Sequence, residues 1–250
     1  MRPFEVRPIR IEREVKPGDD VAELILDAGY EPHPDDVLAI AHTIVSKAEG
    51  AIVDLSEVEP SPFAETLAER LGKDPKVVEV VLREAETVVR VGPHFILTEV
   101  RGGMVCANSG VDESNAPPGH VIVLPEDPDA SARRIRCRIR EETGVDVGVI
   151  ITDTQGRPFR EGVIGVAIGA SGVPTLVDRR GDRDLYGREL EITVVATGDL
   201  LAAAAELAMG QADEGTPAAV IRGVRRALID KGGPDTAAAL VRDPGEDIFR

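Results

Sequence analysis

The chain has no tryptophan, and aromatic residues make up only 3% of its 250 positions, so its interior must be built from Val, Ile, Leu and Ala rather than stacked rings. Two cysteines, Cys106 and Cys137, are too few for a disulfide framework, and a reducing cytoplasm is the compartment that fits. No apolar run approaches membrane-spanning length, and the N-terminus intersperses charges where a signal peptide would carry an apolar core. The expected location is cytoplasmic, with no membrane partner. Bases are also scarce: 29 Lys and Arg face 45 Asp and Glu, a formal charge of −16, and only five of the bases are Lys. Such a chain repels polyanions, so no nucleic-acid partner is expected. Several chemical signatures are missing as well. There is no G-x-x-x-x-G-K-[ST] loop, no H-E-x-x-H, no zinc spacing of Cys or His and no G-x-S-x-G elbow, which removes P-loop transfer, zincin and α/β-hydrolase chemistry.

What is present is an ordinary globular composition, 42% apolar and 30% charged, long enough for one large domain or two subdomains. The organising stretch is Val147 to Gly162. Its β-branched run, Val147, Val149, Ile150 and Ile151, reads as a buried strand whose C-terminal end carries Asp153 and Thr154. Open ends of buried strands are where α/β-type proteins hold ligands. A carboxylate there, followed by a flexible polar loop, suits a hard divalent cation shared with substrate phosphates. Asp is equally a turn former, and that reading stays open.

Along the rest of the chain, Phe4 to Ile11 largely alternates like a half-buried strand, and Gly18-Asp19-Asp20 caps a helix from Val21 to Ala28. Val37 to Ala41 is a second strand, running into His42 to Gly50, where hydroxyls and Lys47 gather at a strand end. Lys47 is a candidate phosphate contact, or a solvated partner of Glu49. Ser61-Pro62 and Asp74-Pro75 open two scaffold helices, ending at Gly72 and about Glu86. Short strands are expected at Val88 to Val91, Phe95 to Leu97 and His120 to Leu124. The polar loop after residue 107 offers Asp112 as a metal ligand and Asn115 as a base or ribose contact, or both as turn formers. Asp127 to Glu142 reads as a helix with a solvated Arg face. Val163 to Ala170 and Glu191 to Ala196 read as strands flanking a long irregular segment from Val173 to Leu190. An Ala-rich helix from Leu200 to Met209 invites close packing. The loop Met209, Gly210, Gln211, Ala212, Asp213, Glu214, Gly215 and Thr216 leads to a strand from Pro217 to Ile221, and can wrap a nucleotide or simply connect two elements. The tail from Asp230 has no assigned element, although its short run Ala237 to Val241 allows a turn or two of helix.

The acids, amides and hydroxyls that remain form an oxygen-only set, Asp112, Asp153, Thr154 and Gln211 with Asp213 and Glu214 near by. Oxygen ligands point to magnesium or manganese, ions that bridge phosphate oxygens.

Four motifs in order, Ser46-Lys-Ala-Glu-Gly50, Gly148-Val-Ile-Ile-Thr-Asp-Thr154, Asp184-Leu-Tyr-Gly-Arg-Glu-Leu190 and Met209-Gly-Gln-Ala-Asp-Glu-Gly-Thr-Pro-Ala218, resemble the coenzyme F420-0:gamma-glutamyl ligase family over nearly the whole chain. The resemblance implies a GTP-dependent ligase that joins L-glutamate to the deazaflavin precursor F420-0 and then adds further glutamates by γ-linkage. It implies two divalent cations, Mg2+ or Mn2+, and stimulation by K+. It also implies an α+β fold with mixed sheets and packed helices, residues 1–250 forming one ligase unit of two interwoven subdomains, in an intertwined homodimer. Carried over by motif, Asp112 and Asp153 hold one metal, and Thr154 and Gln211 the other. Thr43, Lys47, Asn115 and the loop Met209 to Thr216 hold GTP, together with His42 and the backbone of Glu12, Arg13, Glu14 and Val15. Lys47 and Asp153 are the expected catalytic groups. His42 stands where a small hydroxyl residue is expected, and Glu12 to Glu14 are charged where the family pattern is apolar. The acid excess and Lys shortage are similar to those of halophilic archaeal proteins. Two other classes use the same acids: a metal-dependent nucleotide phosphohydrolase and a non-catalytic nucleotide-binding protein.

Overall fold

The computed structural model describes residues 3–248. Strand β1 (Glu5–Ile9) is followed by helix α1 (Val21–Asp27), whose cap Asp20 accepts from the amides of Ala22 and Glu23. Strand β2 (Asp36–Ala41) passes directly into helix α2 (His42–Glu49), which Gly50 ends in the left-handed region at φ 77°. Strand β3 (Ile52–Asp54) precedes α3 (Pro62–Leu71) and α4 (Pro75–Glu84), each with Pro in its first turn behind a capping Ser61 or Asp74. Four short strands come next, β4 (Ala85–Val91), β5 (Ile96–Val100), β6 (Val105–Ala107) and β7 (His120–Ile122). Helix α5 (Pro128–Thr143) leads to a long hairpin, β8 (Gly148–Arg157) and β9 (Arg160–Ser171). The chain closes with β10 (Leu176–Asp178), β11 (Val194–Ala196), α6 (Thr197–Met209), β12 (Ala218–Arg222) and α7 (Arg225–Ile229).

The main sheet has the order β1-β12-β2-β8-β9. Its pairings are antiparallel except β2 with β8, which run parallel from Val37 opposite Gly148 to Ala41 opposite Thr152. These two central strands are covered on both faces, which explains why Val37 to Ile40 and Val149 to Ile151 are apolar without alternation. One face, with Leu38, Ile40, Val149 and Ile151, packs on Ile25 of α1, Val45 of α2 and Ile135 and Ile139 of α5. The other, with Val37, Ala39 and Ile150, packs on Leu201, Ala202 and Ala205 of α6. A Cβ on Gly165 of β9 would lie 2.7 Å from the Ala202 carbonyl oxygen, so α6 settles on the hairpin only because that position is glycine and the helix is built of alanines.

The elements from β3 to β7, between α2 and α5, form their own layer. Ala64, Leu67, Leu71, Val78 and Val81 of α3 and α4 close on Ile96 of β5, and Val58, Val77 and Val80 close on Val121 and Val123. The fold is thus α+β with mixed sheets and packed helices. No described helix is long and apolar enough to cross a membrane.

The structure changes four sequence expectations. Residues 42–49 are a helix rather than a continuing strand end, since Ile44, Val45 and Ala48 share one buried face and Gly50 supplies the stop. Asp153 and Thr154 sit inside β8, because the strand continues past them in a hairpin with β9. The segment from Val173 to Leu190 holds strand β10, while only Val194 to Ala196 of the strand expected from Glu191 is paired. The region after β12 holds α7, which the sequence reading did not anticipate, and a 3-10 turn at Pro244–Glu246, while the 3-10 turn at Ala237–Leu240 falls where the sequence allows a turn of helix.

Candidate active site

Parallel pairing of β2 and β8 ends at Ala41 and Thr152, and there the two chains part. Strand β2 turns into α2, while β8 runs on beside β9 alone, with Asp153 opposite Val166 and Thr154 opposite Gly165. A cleft of about 580 Å³ opens at this fork, at the C-terminal ends of the parallel pair. Asp153 is therefore the first residue past the end of the parallel ladder. The strand-end logic applies to that ladder rather than to β8 itself.

The cleft gathers segments far apart in sequence. Arg13, Glu14 and Val15 line one wall, His42, Thr43 and Lys47 of α2 another. Asp112 and Asn115 reach it from the inserted layer, Asp153 and Thr154 from β8. Met209, Gly210, Gln211, Ala212, Glu214, Gly215 and Thr216 close it from the loop after α6, and this loop is pinned where the Ala41 amide donates to the Pro217 carbonyl at 2.8 Å. Two sequence candidates, Glu12 and Asp213, fall outside the lining.

The Asp153 carboxylate accepts from the Thr154 amide at 2.7 Å and from the Gln155 side-chain amide at 3.0 Å, and His42 Nε2 stands 3.5 Å from its Oδ1. Its side chain is 11% exposed, so these contacts fix its direction. On the other face of the ribbon, Gln211 Nε2 donates to Thr154 Oγ1 at 3.0 Å. Asp112 does form the turn its residue type allows: Oδ1 accepts from the Ser114 amide at 2.7 Å and hydroxyl at 2.6 Å. The turn coexists with a place on the cleft wall. Asn115 adopts a positive φ of 54°.

Helix α2 has no side-chain cap at its N-terminus, and His42, Thr43 and Ile44 of its first turn line the cleft, the end of a helix where backbone amides lack intrahelical partners. Lys47 is not held by Glu49, whose carboxylate takes Arg134 and Ser131 instead. Among the described residues Lys47 has no ion-pair partner. The loop after α6 carries its own anion: Glu214 Oε2 accepts from the Ala212 amide at 2.7 Å, and that amide, with those of Glu214 and Gln211, holds the carboxyl below its ordinary range.

Among the lining residues that sequence reasoning did not single out, Cys106 and Glu206 are titratable. Burial, helped by the Asp153 charge and opposed by a hydrogen bond with Thr98, pushes the Cys106 thiol up to about 12, so it stays protonated and is no nucleophile. Glu206 of α6 is pushed above the ordinary carboxylate range by burial and then by the Asp153 charge, and its Oε1 is buried with no hydrogen-bond partner. Its only sequence signal is the single acid between Leu200 and Met209, one turn before the Gly210 loop.

No three His, Cys, Asp or Glu residues cluster at metal-binding distance among the described residues. Asp112, Asp153, Thr154, Gln211 and the orphaned oxygen of Glu206 are hard oxygen donors, and they fit cations that complete their shells with water and phosphate.

Comparison with known proteins extends over the same residues. A family model described as F420-0:Gamma-glutamyl ligase matches residues 9–223. The chain is 73% identical over 247 residues to a coenzyme F420:L-glutamate ligase of Methanopyrus kandleri, covering 99% of this chain and 98% of that one. It is 52% identical over 237 residues to the protein of that name from Methanothermobacter thermautotrophicus, with 93% of each chain covered. With that of Haloarcula marismortui it shares 46% over 253 residues, 99% of this chain and 96% of the other. A match of this extent, through both walls of the cleft and the loop that closes it, means that the chain belongs to the F420-0:gamma-glutamyl ligase family.

Proposed function

We propose that this chain is a GTP-dependent ligase that joins L-glutamate to coenzyme F420-0, and then to the product by γ-linkage, with the cleft at the β2/β8 fork as its active site. The observation that carries the reading is a charge imbalance. Glu14, Asp112, Asp153, Glu206 and Glu214 line the cleft against Arg13 and Lys47, and Arg13 is already engaged by Asp19 at 2.8 Å. A triphosphate does not enter such a site alone, but it does enter with divalent cations that the same acids attract.

In this reading Asp112 and Asp153 hold one Mg2+ or Mn2+ and Thr154 and Gln211 the other. When bound, these ions withdraw electron density from the phosphates and neutralise charge that builds up during transfer. The open amides at the start of α2 and the Lys47 ammonium receive phosphate oxygens, and Thr43, Asn115, the backbone near Val15 and the loop from Met209 to Thr216 hold the rest of GTP. A carboxylate does not react with an amine until one of its oxygens becomes a leaving group. A carboxylate oxygen of F420-0 attacks the γ-phosphorus and GDP departs. The glutamate amine then attacks the acyl carbon, loses a proton and expels phosphate.

The same reading takes residues 1–250 as two interwoven subdomains in an intertwined homodimer. The separate apolar clusters of the inserted layer support the first. Leu185, Tyr186 and Ile192, each about nine-tenths exposed or more on one loop, support the second.

The deciding experiment is mass spectrometry after incubation with GTP, L-glutamate, Mn2+ and F420-0. Cofactor mass rising by glutamyl units, with GDP released, is the expected result. GDP without a mass change would make the protein a phosphohydrolase, and neither change would leave it a binding protein.

A further inference from the structure

Thr154 and Gln211 offer a cation only a hydroxyl and an amide, both neutral. Hard divalent ions bound in water draw most of their affinity from charged oxygens, so a site of two neutral donors is short of an anion.

Glu206 stands where that anion is needed. Its Oε2 lies 3.1 Å from the point a Cβ on Gly165 would occupy, and Gly165 is the register partner of Thr154 on β9. Directly opposed residues of an antiparallel pair share a face, with Cβ positions about 5 Å apart. The carboxylate therefore lies on the face of the ribbon that carries the Thr154 hydroxyl. The third member is placed by the end of the helix: the Gly210 amide donates to the Glu206 carbonyl at 3.0 Å, and Gln211 follows at once and bonds to Thr154. Three elements, β8, α6 and the loop after it, thus converge on one spot of the cleft wall.

The carboxylate is otherwise without employment. Its Oε1 is buried and has no hydrogen-bond partner among the described residues. No described Lys or Arg pairs with it, and Asp153 adds a second negative charge near by. A carboxylate with one oxygen buried and unpartnered costs stability unless something positive joins it. We propose that Glu206 is a ligand of the cation held by Thr154 and Gln211 and supplies its protein charge. The proposal rests on the metal and nucleotide reading given above.

The test is a Mn2+ titration of the full chain with GDP present, reading the free ion by electron paramagnetic resonance, for the natural protein and Glu206→Gln. Two ions per natural chain are expected, with the affinity of one lowered at least about tenfold in the variant and that of the other kept. Without metal, Glu206→Gln should melt at the same temperature or higher, because the amide removes a buried charge, while the rise in melting temperature on adding Mn2+ shrinks. A purely structural Glu206 would not give that pair of results. Should the Gln variant fold poorly, Glu206→Asp, which withdraws the carboxylate by one methylene, is read the same way. Two ions of natural affinity in the folded variant would overturn the Glu206 assignment alone. A natural protein that takes up no Mn2+ with GDP would overturn the metal and nucleotide reading and this inference with it.

Discussion

Gln211 donates its side-chain amide to the Thr154 hydroxyl at 3.0 Å, so a loop after a helix and a strand 57 residues earlier meet at one place. Because the two side chains act as a unit, their losses should not add. Thr154→Val and Gln211→Ala are each expected to lower turnover about ten- to a hundredfold, and the double variant little further than the worse single one. Steady-state rates at saturating GTP and Mn2+ check this; independent, multiplying effects would separate the residues.

Asp153 is fixed by the Thr154 amide and the Gln155 side chain, both of which an Asn oxygen can still meet in part. Asp153→Asn should leave the circular dichroism spectrum and melting cooperativity intact while lowering ligation about a hundred- to a thousandfold. Unchanged turnover at saturating metal would remove Asp153 from the ligand set.

Lys47 keeps its charge for the cleft because Arg134 occupies Glu49. Lys47→Met should therefore weaken GDP binding about tenfold, roughly 1.4 kcal/mol, with little change in stability. Calorimetric titration measures it, and a variant that binds GDP normally but unfolds earlier would assign Lys47 to the scaffold.

Gly165→Ala would place a Cβ 2.7 Å from the Ala202 carbonyl oxygen, a backbone atom that cannot rotate away. Helix α6 must shift, at a cost of about 1–3 kcal/mol. The expected result is a lower melting temperature, accompanied by weaker Mn2+ uptake because Glu206 rides on the same helix.

At the far end of the sheet from the cleft, Arg136 and Arg225 converge on Asp146, with bonds from 2.6 to 2.9 Å. Burial pulls this carboxyl upward, but hydrogen bonds and charges from the two guanidinium groups prevail and leave it below its ordinary value. A depressed folded value means that the stabilisation is complete above the unfolded value, about 3.9, and fades as pH falls below it through the folded value. Urea midpoints of the natural protein and Asp146→Asn should differ at pH 7 and converge in strong acid. A gap that persists there would show that packing, not ionisation, is responsible.

Local patterns were legible wherever the chemistry is local. Caps and first-turn prolines marked α3, α4 and α5, and the apolar run at Val149 to Ile151 marked a central strand. The small residues of α6 correctly announced close packing. The fate of residues 42–49 was not legible, since Thr43, Ile44 and Val45 are β-branched and favour strands until burial against α1 and the sheet selects a helix. Asp153 looked like a strand end because polarity begins there. Only the pairing with β9 shows that the ladder stops while the strand does not. Glu206 had no motif to announce it; its meaning comes from what lies across the helix interface.

The parallel neighbours Val37 and Gly148 are separated along the chain by the entire inserted layer. Joining them closes a very long loop, and such contacts are entropically late events in folding. The fork at the ends of β2 and β8 thus depends on a contact that closes late, so a newly made chain is expected to complete this cleft near the end of folding. A cut within α3 or α4 would leave every lining residue of the cleft in the sequence and still disturb the closure of the fork.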